Sequence, residues 1–432
     1  SLADGPSSPA FNSMQQDRLA KLNRLLQLSI DDNAFYQPRL EAVRDFLPLG
    51  SLEDFQRLVP LTEKGAWIED QKLNPPYGTN LAFPLEAYSR CHQTSGTTGN
   101  PMRWLDTPTT WDHMLDAWGR VFRGAGAQNT DRVFFAFSFG PFLGFWTAFE
   151  SAQKLGMFCL SGGAMTTETR LKAIRENQCT VLCCTPTYAL RLGQVARDCG
   201  YLPDTFKLHT IIVAGEPGGS LPAVRGQLKQ LWPNAKVYDH HGMTEVGPVS
   251  YECPEHACRL HVIEDAFIAE VIDPDSLKLT DPGEKGELIL TTLDRVGSPL
   301  IRYRTGDLVQ PLPSGKCDCG SSDLALEGGI IGRCDDMVVV RGVNIYPSAI
   351  DQIVRECGGV VEYRVEVKKV RNLAELDVII EPEADLEDVD GLVARLSRAF
   401  QLSLALRIPV KAIPSGALPR FEMKAQRWMH MQ

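Results

Sequence analysis

The feature that most constrains the fold lies in the middle of the chain, where short apolar runs alternate with helical stretches. Val133–Phe137, Thr180–Cys184, Thr210–Val213 and Lys236–Tyr238 read as buried strands. Trp146–Leu155, Thr167–Glu176 and Tyr188–Asp198 read as the helices between them. Strands separated by helices of this length predict parallel sheets in layered α/β packing, because a parallel pair needs a crossover rather than a hairpin. The pattern then changes. Ala266–Ile272, Glu287–Thr292 and Leu300–Tyr303 are strand-like and separated by turns such as Asp281-Pro282-Gly283, which predicts a β-rich subdomain. After Ile331-Gly332-Arg333, strands around Arg364–Lys369 and Glu375–Ile380 and a helix over Gly391–Phe400 predict a small α+β module. Near the start, Leu19, Leu22, Leu25, Leu26 and Ile30 recur at helical spacing over Gln15–Ile30.

A chain of 432 residues exceeds one ordinary core, so at least two domains are expected. We place the large one at 1–332 and the small one at 333–432. No run approaches the roughly 20 apolar residues of a membrane helix. The net charge of −10 argues against nucleic acid as a main partner, since phosphate backbones are bound by surplus Lys and Arg. Ser1–Ser13 is rich in Ser, Pro and Ala and lacks the charged-then-apolar pattern of an export signal, so the expected compartment is the cytosol. The 12 cysteines are accordingly read as reduced thiols or metal ligands rather than a disulfide framework.

Thr94-Ser95-Gly96-Thr97-Thr98-Gly99-Asn100-Pro101 is the strongest local signal. Glycines let the backbone curl so that its N–H groups converge on an anion, and four hydroxyls add donors. It is not a Walker loop, because the Gly-Lys-Ser/Thr ending is absent. Alone, it is equally a Ser/Thr/Gly surface loop. Other motifs follow in order: Ala214-Gly215-Glu216-Pro217 after a strand, then Tyr238-Asp239-His240-His241-Gly242-Met243-Thr244-Glu245, then Tyr303-Arg304-Thr305-Gly306-Asp307-Leu308. Gly332-Arg333-Cys334-Asp335-Asp336 leads into Val340-Arg341-Gly342-Val343-Asn344-Ile345-Tyr346-Pro347, and Leu418-Pro419-Arg420-Phe421-Glu422-Met423-Lys424 stands near the end. This ordered set resembles the adenylate-forming superfamily and, within it, the phenylacetate–coenzyme A ligase family, over nearly the whole chain.

The resemblance implies an ATP-dependent acid–thiol ligase. A carboxylate attacks the α-phosphorus of ATP with Mg²⁺ present, and the acyl group then passes to coenzyme A. Both first reactants are anions, so the protein must neutralise charge and hold the attack in line. Ser95, Gly96, Thr97, Thr98 and Gly99 are implied to hold the β- and γ-phosphates, Thr244 to reach the α-phosphate, and Glu245 to ligate Mg²⁺. Asp307 is implied to accept from the ribose hydroxyls, with Arg333 near ribose and phosphate. Gly215, Glu216, Pro217, Asp239, His240, His241, Gly242 and Met243 complete the implied nucleotide site. Lys424 stands at the catalytic lysine, whose ammonium compensates the reacting anions. Asp335 stands at the hinge of a small domain that members use in two orientations. Gly342 would lie on the face used for the thiol step.

The stretch Phe134–Phe142, with Phe145 and Trp146 close behind, is unusually aromatic; most of its rings are expected to fill the core. By resemblance Phe139, Gly140, Ala214, His240 and Gly242 are the acyl-pocket candidates, for an aryl or arylacetic acid. Cys253-Pro254-Glu255-His256-Ala257-Cys258-Arg259-Leu260-His261 and Cys317-Asp318-Cys319-Gly320 look like two halves of a zinc site, which takes four Cys or His ligands. The family's pattern selects Cys253, His261, Cys317 and Cys319, with Cys258 as the alternative to His261, in a structural role. Cys91-His92 is a poor nucleophilic pair, since neighbours on a strand point to opposite faces. Cys183-Cys184 belongs to a buried strand.

Two positions depart from the family. Asn100 replaces the usual Lys after the last loop glycine, and His241 replaces the Tyr that stacks on adenine. Two other functions remain open: an adenylating enzyme that passes its acyl group to an amine or carrier protein, and a nucleotide-binding pseudoenzyme. The family suggests a homodimer.

Overall fold

The computed structural model describes the chain except residues 1–8, 95–100, 335, 342, 371–372, 422–424 and 432. Its central sheet has five strands in the order Phe158–Ser161, Arg132–Phe135, Val181–Cys184, Thr210–Val213, Lys236–Asp239, all parallel. Alternation along these strands explains why they read as continuous apolar runs. Val133, Phe135, Val181, Cys183 and Ile212 join one core, while Phe134, Leu182, Cys184, Ile211 and Val213 join a second on the opposite face. Cys183 and Cys184 are therefore packing residues, and burial pushes both thiols up.

The crossover helices are Leu143–Lys154, Thr167–Glu176, Pro186–Asp198 and Pro222–Leu231. Pro186–Asp198 starts two residues before the expected Tyr188, because Thr185 caps it by accepting from the Tyr188 N–H and proline occupies its first turn. The edge strand Phe158–Ser161 was not anticipated, although Met157–Leu160 is apolar; it pairs on one side only, and its Phe158 and Ser161 are exposed. Helix Pro108–Gly124 was also unforeseen, although Thr107 and Thr110 form a capping box at its start.

The β-rich subdomain contains an antiparallel sheet of Phe267–Ile272, Gly286–Thr292, Tyr303–Val309 and Gly332–Arg333. The expected strand Leu300–Tyr303 is displaced: the true strand begins at Tyr303. Leu300 and Ile301 are buried but lie outside any strand, and Arg302 adopts a φ of 46°. The Arg302 guanidinium is tied to Glu270 at 2.8 and 3.0 Å and to the Val59 carbonyl at 2.6 Å. Tertiary contacts thus hold a conformation that a strand pattern cannot signal. Beside it lies a three-stranded sheet of Ser250–Glu252, Arg259–Val262 and Ala325–Glu327.

The C-terminal unit is built on the antiparallel pair Val360–Val370 and Leu373–Pro382, flanked in parallel by Trp428–His430 and Val410–Ala412. Helices Pro347–Cys357 and Val389–Leu404 close a separate core that begins at Val338. Arg333 still pairs with Asp307 in the large sheet, so the chain changes core between Arg333 and Val338. No helix among the described residues is long and apolar enough to cross a membrane.

Candidate active site and metal centre

In parallel sheets, ligands bind at the carboxyl ends of the strands, where the loops diverge. Most of the candidate residues collect at that edge. Ala214 and Gly215 follow Thr210–Val213, and Gly215 needs its φ of 94° to turn the chain. Asp239 ends its strand and turns inward. It accepts from Ser220 Oγ at 2.5 Å and from the His240 N–H at 2.9 Å, and so pins the loop after Pro217 rather than facing outward. Pro217 is exposed.

His240 is buried, 4.3 Å from Trp118 by ring centroids, and its Nδ1 lies 2.6 Å from the Ser250 carbonyl. That carbonyl can only accept, so Nδ1 carries the proton; burial pulls the pKa down to about 3 and keeps the ring neutral. Strands Gly242–Met243 and Gly247–Pro248 then form a tight hairpin with Thr244 and Glu245 at its tip. A Cβ on Gly242 would lie 2.8 Å from the Gly247 carbonyl, so the two backbones approach too closely for any side chain there. Met243 packs partly buried against the main core.

Glu245 is buried; its Oε1 accepts from Tyr303 Oη at 3.0 Å and lies 3.6 Å from Lys64 Nζ. Arg295 fixes the backbone beneath it, donating to the carbonyls of Thr244 and Glu245 at 2.8 and 2.9 Å. The other face of Arg295 makes a bidentate pair with Asp106 at 2.8 and 2.7 Å, and both residues are buried. Neither Arg295 nor Asp106 was singled out from sequence; they stand 189 positions apart and lie in no motif. Tyr303 does open one of the quoted motifs.

His241, Asp307 and Arg333 meet. Asp307 faces His241 Nε2 at 3.0 Å and accepts from Arg333 at 3.2 Å, while His241 Nδ1 is buried with no partner among the described residues. A buried carboxylate with two flanking cationic or aromatic groups suits a hydroxylated, anionic ligand. Glu216 receives the Thr187 N–H at 2.7 Å and the Ala425 N–H at 2.8 Å. Ser95, Gly96, Thr97, Thr98 and Gly99 lie outside the described residues, as do Asn100, Asp335, Gly342 and Lys424. The two sides of the 95–100 segment are tied together by Thr94 and Met102, whose two bonds measure 2.9 and 3.1 Å. Upstream of Lys424, buried Glu381 accepts from the Gly416 and Leu418 N–H groups and from Arg420. The Arg420 guanidinium holds the Glu381 carboxyl at about 2, well below the usual range. Downstream, Glu362 accepts from Arg427 at 2.6 and 3.1 Å.

The aromatic stretch forms a wall. Phe137 and Phe145 stack, and Phe139 packs against Trp146 and Phe149. Trp146 donates to the Gly140 carbonyl at 2.9 Å, and Phe145 reaches within 3.9 Å of a Cβ placed on Gly215. This places Phe139 and Gly140 on the segment leading into helix Leu143–Lys154, which also contacts the Gly242–Met243 strand.

Cys91 and His92 lie on the strand Arg90–Gln93 with opposite exposure, Cys91 outward and His92 buried. His92 stacks on Trp111, and burial pulls its pKa to about 4 against the opposing pull of Asp106. Unfolded imidazoles protonate near 6.5, whereas His92 and His240 stay neutral when folded. Stability is therefore expected to fall as pH drops from 6.5 towards 4, by about 1.4 kcal/mol per unit for each histidine. Urea midpoints at pH 7, 6 and 5 should show a shallower slope for His92→Phe, and an unchanged slope would refute this.

The metal-centre candidates Cys253, His261, Cys317 and Cys319 converge, with all four ligand atoms within 4.8 Å of one another. Cys253 and Cys317 sulfurs are 3.7 Å apart, and Cys319 Sγ lies 3.5 Å from His261 Nε2. Tetrahedral zinc, with bonds of about 2.3 Å to sulfur and 2.0–2.1 Å to nitrogen, requires S···S of about 3.8 Å and S···N of about 3.6 Å. His261 Nδ1 faces the Asp323 carbonyl at 3.1 Å, which fixes the tautomer and leaves Nε2 free to coordinate. Cys258 is not among the converging atoms; its positive φ of 64° and its N–H bond to Glu252 belong to the turn beside them.

Residues 92–292 match the family model for AMP-binding enzymes, and residues 342–432 match that for the AMP-binding enzyme C-terminal domain. The phenylacetate–coenzyme A ligase of Thermus thermophilus is 31% identical over 434 residues, covering 95% of this chain and 94% of the relative. Crystallised 2-hydroxyisobutyryl-CoA ligase, in the postadenylation state with 2-HIB-AMP, is 28% identical and superposes with a TM-score of 0.90, covering 97% of this chain and 90% of that one. The same ligase in its thioesterification state, with 2-HIB-AMP and CoA, superposes at 0.73, covering 99% of this chain and 91% of that one. With family models matching both parts of the chain and a relative matching it over nearly its full length, the chain belongs to the phenylacetate–coenzyme A ligase family of the adenylate-forming superfamily, and it is an AMP-forming acid–coenzyme A ligase.

Proposed function

We propose that the chain activates an aryl or arylacetic acid, phenylacetate-like in shape, as its acyl-adenylate and transfers the acyl group to coenzyme A. The observation that carries this reading is the cluster of Glu245, His241, Asp307 and Arg333 at the carboxyl edge of the sheet, with the C-terminal unit touching it through Glu216 and Ala425. The aromatic wall of Phe137, Phe139, Phe145, Trp146 and Phe149 favours a ring-bearing acid over a small aliphatic one.

Each residue then has a role. Ser95, Gly96, Thr97, Thr98 and Gly99 hold the β- and γ-phosphates. Thr244 reaches the α-phosphate, and Glu245 would hold Mg²⁺, whose charge would offset that of the pyrophosphate group. Asp307 accepts from the ribose hydroxyls with Arg333 beside it, and the flat His241 ring takes the adenine face. Lys424 balances the charge of the two reacting anions. Phe139, Gly140, Ala214, His240 and Gly242 bound the acyl group. Asp335 is the hinge between a large domain, 1–332, and a small domain, 333–432. The higher superposition score on the postadenylation form supports an arrangement set for the first half-reaction.

Acid-dependent ATP–pyrophosphate exchange tests the reading, with phenylacetate, benzoate and 2-hydroxyisobutyrate in the panel, followed by AMP release on adding coenzyme A. Exchange with an aryl acid and AMP release only with coenzyme A are expected. Exchange confined to 2-hydroxyisobutyrate would overturn the aryl assignment, and exchange without coenzyme A turnover would point to an amine or carrier-protein acceptor.

We further propose that Cys253, His261, Cys317 and Cys319 bind zinc and clip the loops after Ser250–Glu252 and Tyr303–Val309 together. A closed four-ligand site leaves no open position for catalysis. Purified protein is expected to contain about one zinc per chain by elemental analysis. Cys317→Ser should lose it and melt earlier, while exchange per folded molecule is retained. Metal-free protein that melts unchanged would refute the clip.

A further inference from the structure

We infer that Glu216 is a positioning residue that latches the Lys424 strap onto the large domain during adenylation. The inference rests on the adenylation reading above, and adds a role that binding of the nucleotide does not require.

Both oxygens of the Glu216 carboxylate are committed. Oε1 accepts from the Thr187 N–H in the first turn of helix Pro186–Asp198, whose positive end suits a carboxylate. Oε2 accepts from the Ala425 N–H. The first bond anchors the side chain to the large domain; the second crosses 209 positions of sequence to the C-terminal unit. Ala425 follows Lys424 directly. Its N–H belongs to the planar peptide unit that joins the two residues, so holding it restrains the chain two bonds from the Lys424 Cα.

The neighbouring restraints act within the C-terminal unit. Arg420 is held by Glu381 and Arg427 by Glu362, so the chain on either side of 422–424 is stiffened within the C-terminal unit. Other bonds between the units join helix Pro222–Leu231 to helix Pro347–Cys357, through Gln352 with Ala223 and Gln227 with Arg355, each at 3.3 Å. Among the described residues, Glu216 is thus the charged contact beside the strap, and its 2.8 Å bond to Ala425 is shorter than those. Rotation of the C-terminal unit for thioester formation carries Ala425 away and breaks the bond. The latch therefore contributes to the first half-reaction and not to the second.

The test separates the two steps in Glu216→Gln and Glu216→Ala. A hydrogen bond to a charged acceptor is lost, so ATP–pyrophosphate exchange is expected to slow by about tenfold to hundredfold. Single-turnover thioester formation, from saturating phenylacetyl-adenylate and coenzyme A, should fall by a clearly smaller factor than pyrophosphate exchange does. Hydrogen–deuterium exchange of peptides spanning 421–428 should quicken in both variants, while peptides from 210–213 are unchanged. Equal loss in both half-reactions, or unaltered exchange with unaltered deuterium uptake, would overturn the latch. If the wild-type protein gives no pyrophosphate exchange with any acid, the adenylation reading fails instead. Deuterium uptake at 421–428 still decides whether Glu216 holds the strap.

Discussion

Replacing Arg295 by Met is expected to destabilise the large domain by about 3–5 kcal/mol, because Asp106 is then left charged and unpaired in the interior. The pair is buried, bidentate and shared with the carbonyls of Thr244 and Glu245. A second substitution separates stability from chemistry. In Arg295→Met combined with Asp106→Leu the orphaned charge is gone, and most of the lost stability should return. The Thr244 and Glu245 carbonyls still lack their donor, so the hairpin tip is free to shift. Pyrophosphate exchange should remain down by about 10²-fold, as expected for a reacting geometry misplaced by an ångström. Urea midpoints and exchange rates for the three variants check both halves. Recovery of activity together with stability would show that Arg295 supports the fold and not the site.

Glu245→Gln carries the other large effect. The amide keeps the volume and an oxygen for Tyr303 Oη, which now lies 3.0 Å from Oε1, but removes the negative charge. Lys64, 3.6 Å away, loses its counter-charge as well. Exchange is expected to fall by about 10²–10³-fold, the usual range for removing one electrostatic group from the reacting centre. The Mg²⁺ concentration giving half-maximal exchange should rise, while the melting temperature changes little. Tyr303→Phe, which keeps the carboxylate, should retain the wild-type Mg²⁺ dependence. An unchanged Mg²⁺ dependence in Glu245→Gln would remove Glu245 as the metal-holding residue.

The stabilising contacts of the strap carry an acid limit of their own. Glu381 titrates at about 2 in the folded chain against 4.5 as its reference. Its contribution is complete above the reference value and is lost as pH falls from there towards 2. In this it differs from His92 and His240, which begin to oppose folding already below 6.5.

The sequence by itself determined whatever depends on neighbours along the chain. Short apolar runs located four of the five strands of the parallel sheet, and helix Thr167–Glu176 lies at its expected bounds because Thr166 caps it locally. The ordered motifs identified the superfamily, since each is a short loop whose chemistry is written in consecutive residues. The Cys and His motifs, narrowed by the family's pattern, marked four candidate ligands whose atoms the fold brings within 4.8 Å of one another. Only the tertiary structure decided which distant groups meet. Arg295 finds Asp106 across 189 positions and Glu216 finds Ala425 across 209, and neither pairing leaves a periodic or spacing signal. The same limit explains the misplaced strand at Leu300–Tyr303. Its apolar residues are buried as a strand's would be, but the left-handed Arg302 is held by Glu270 and Val59, which lie far from it in sequence. Local pattern fixes what a segment can be, whereas long-range electrostatics and packing fix what it touches.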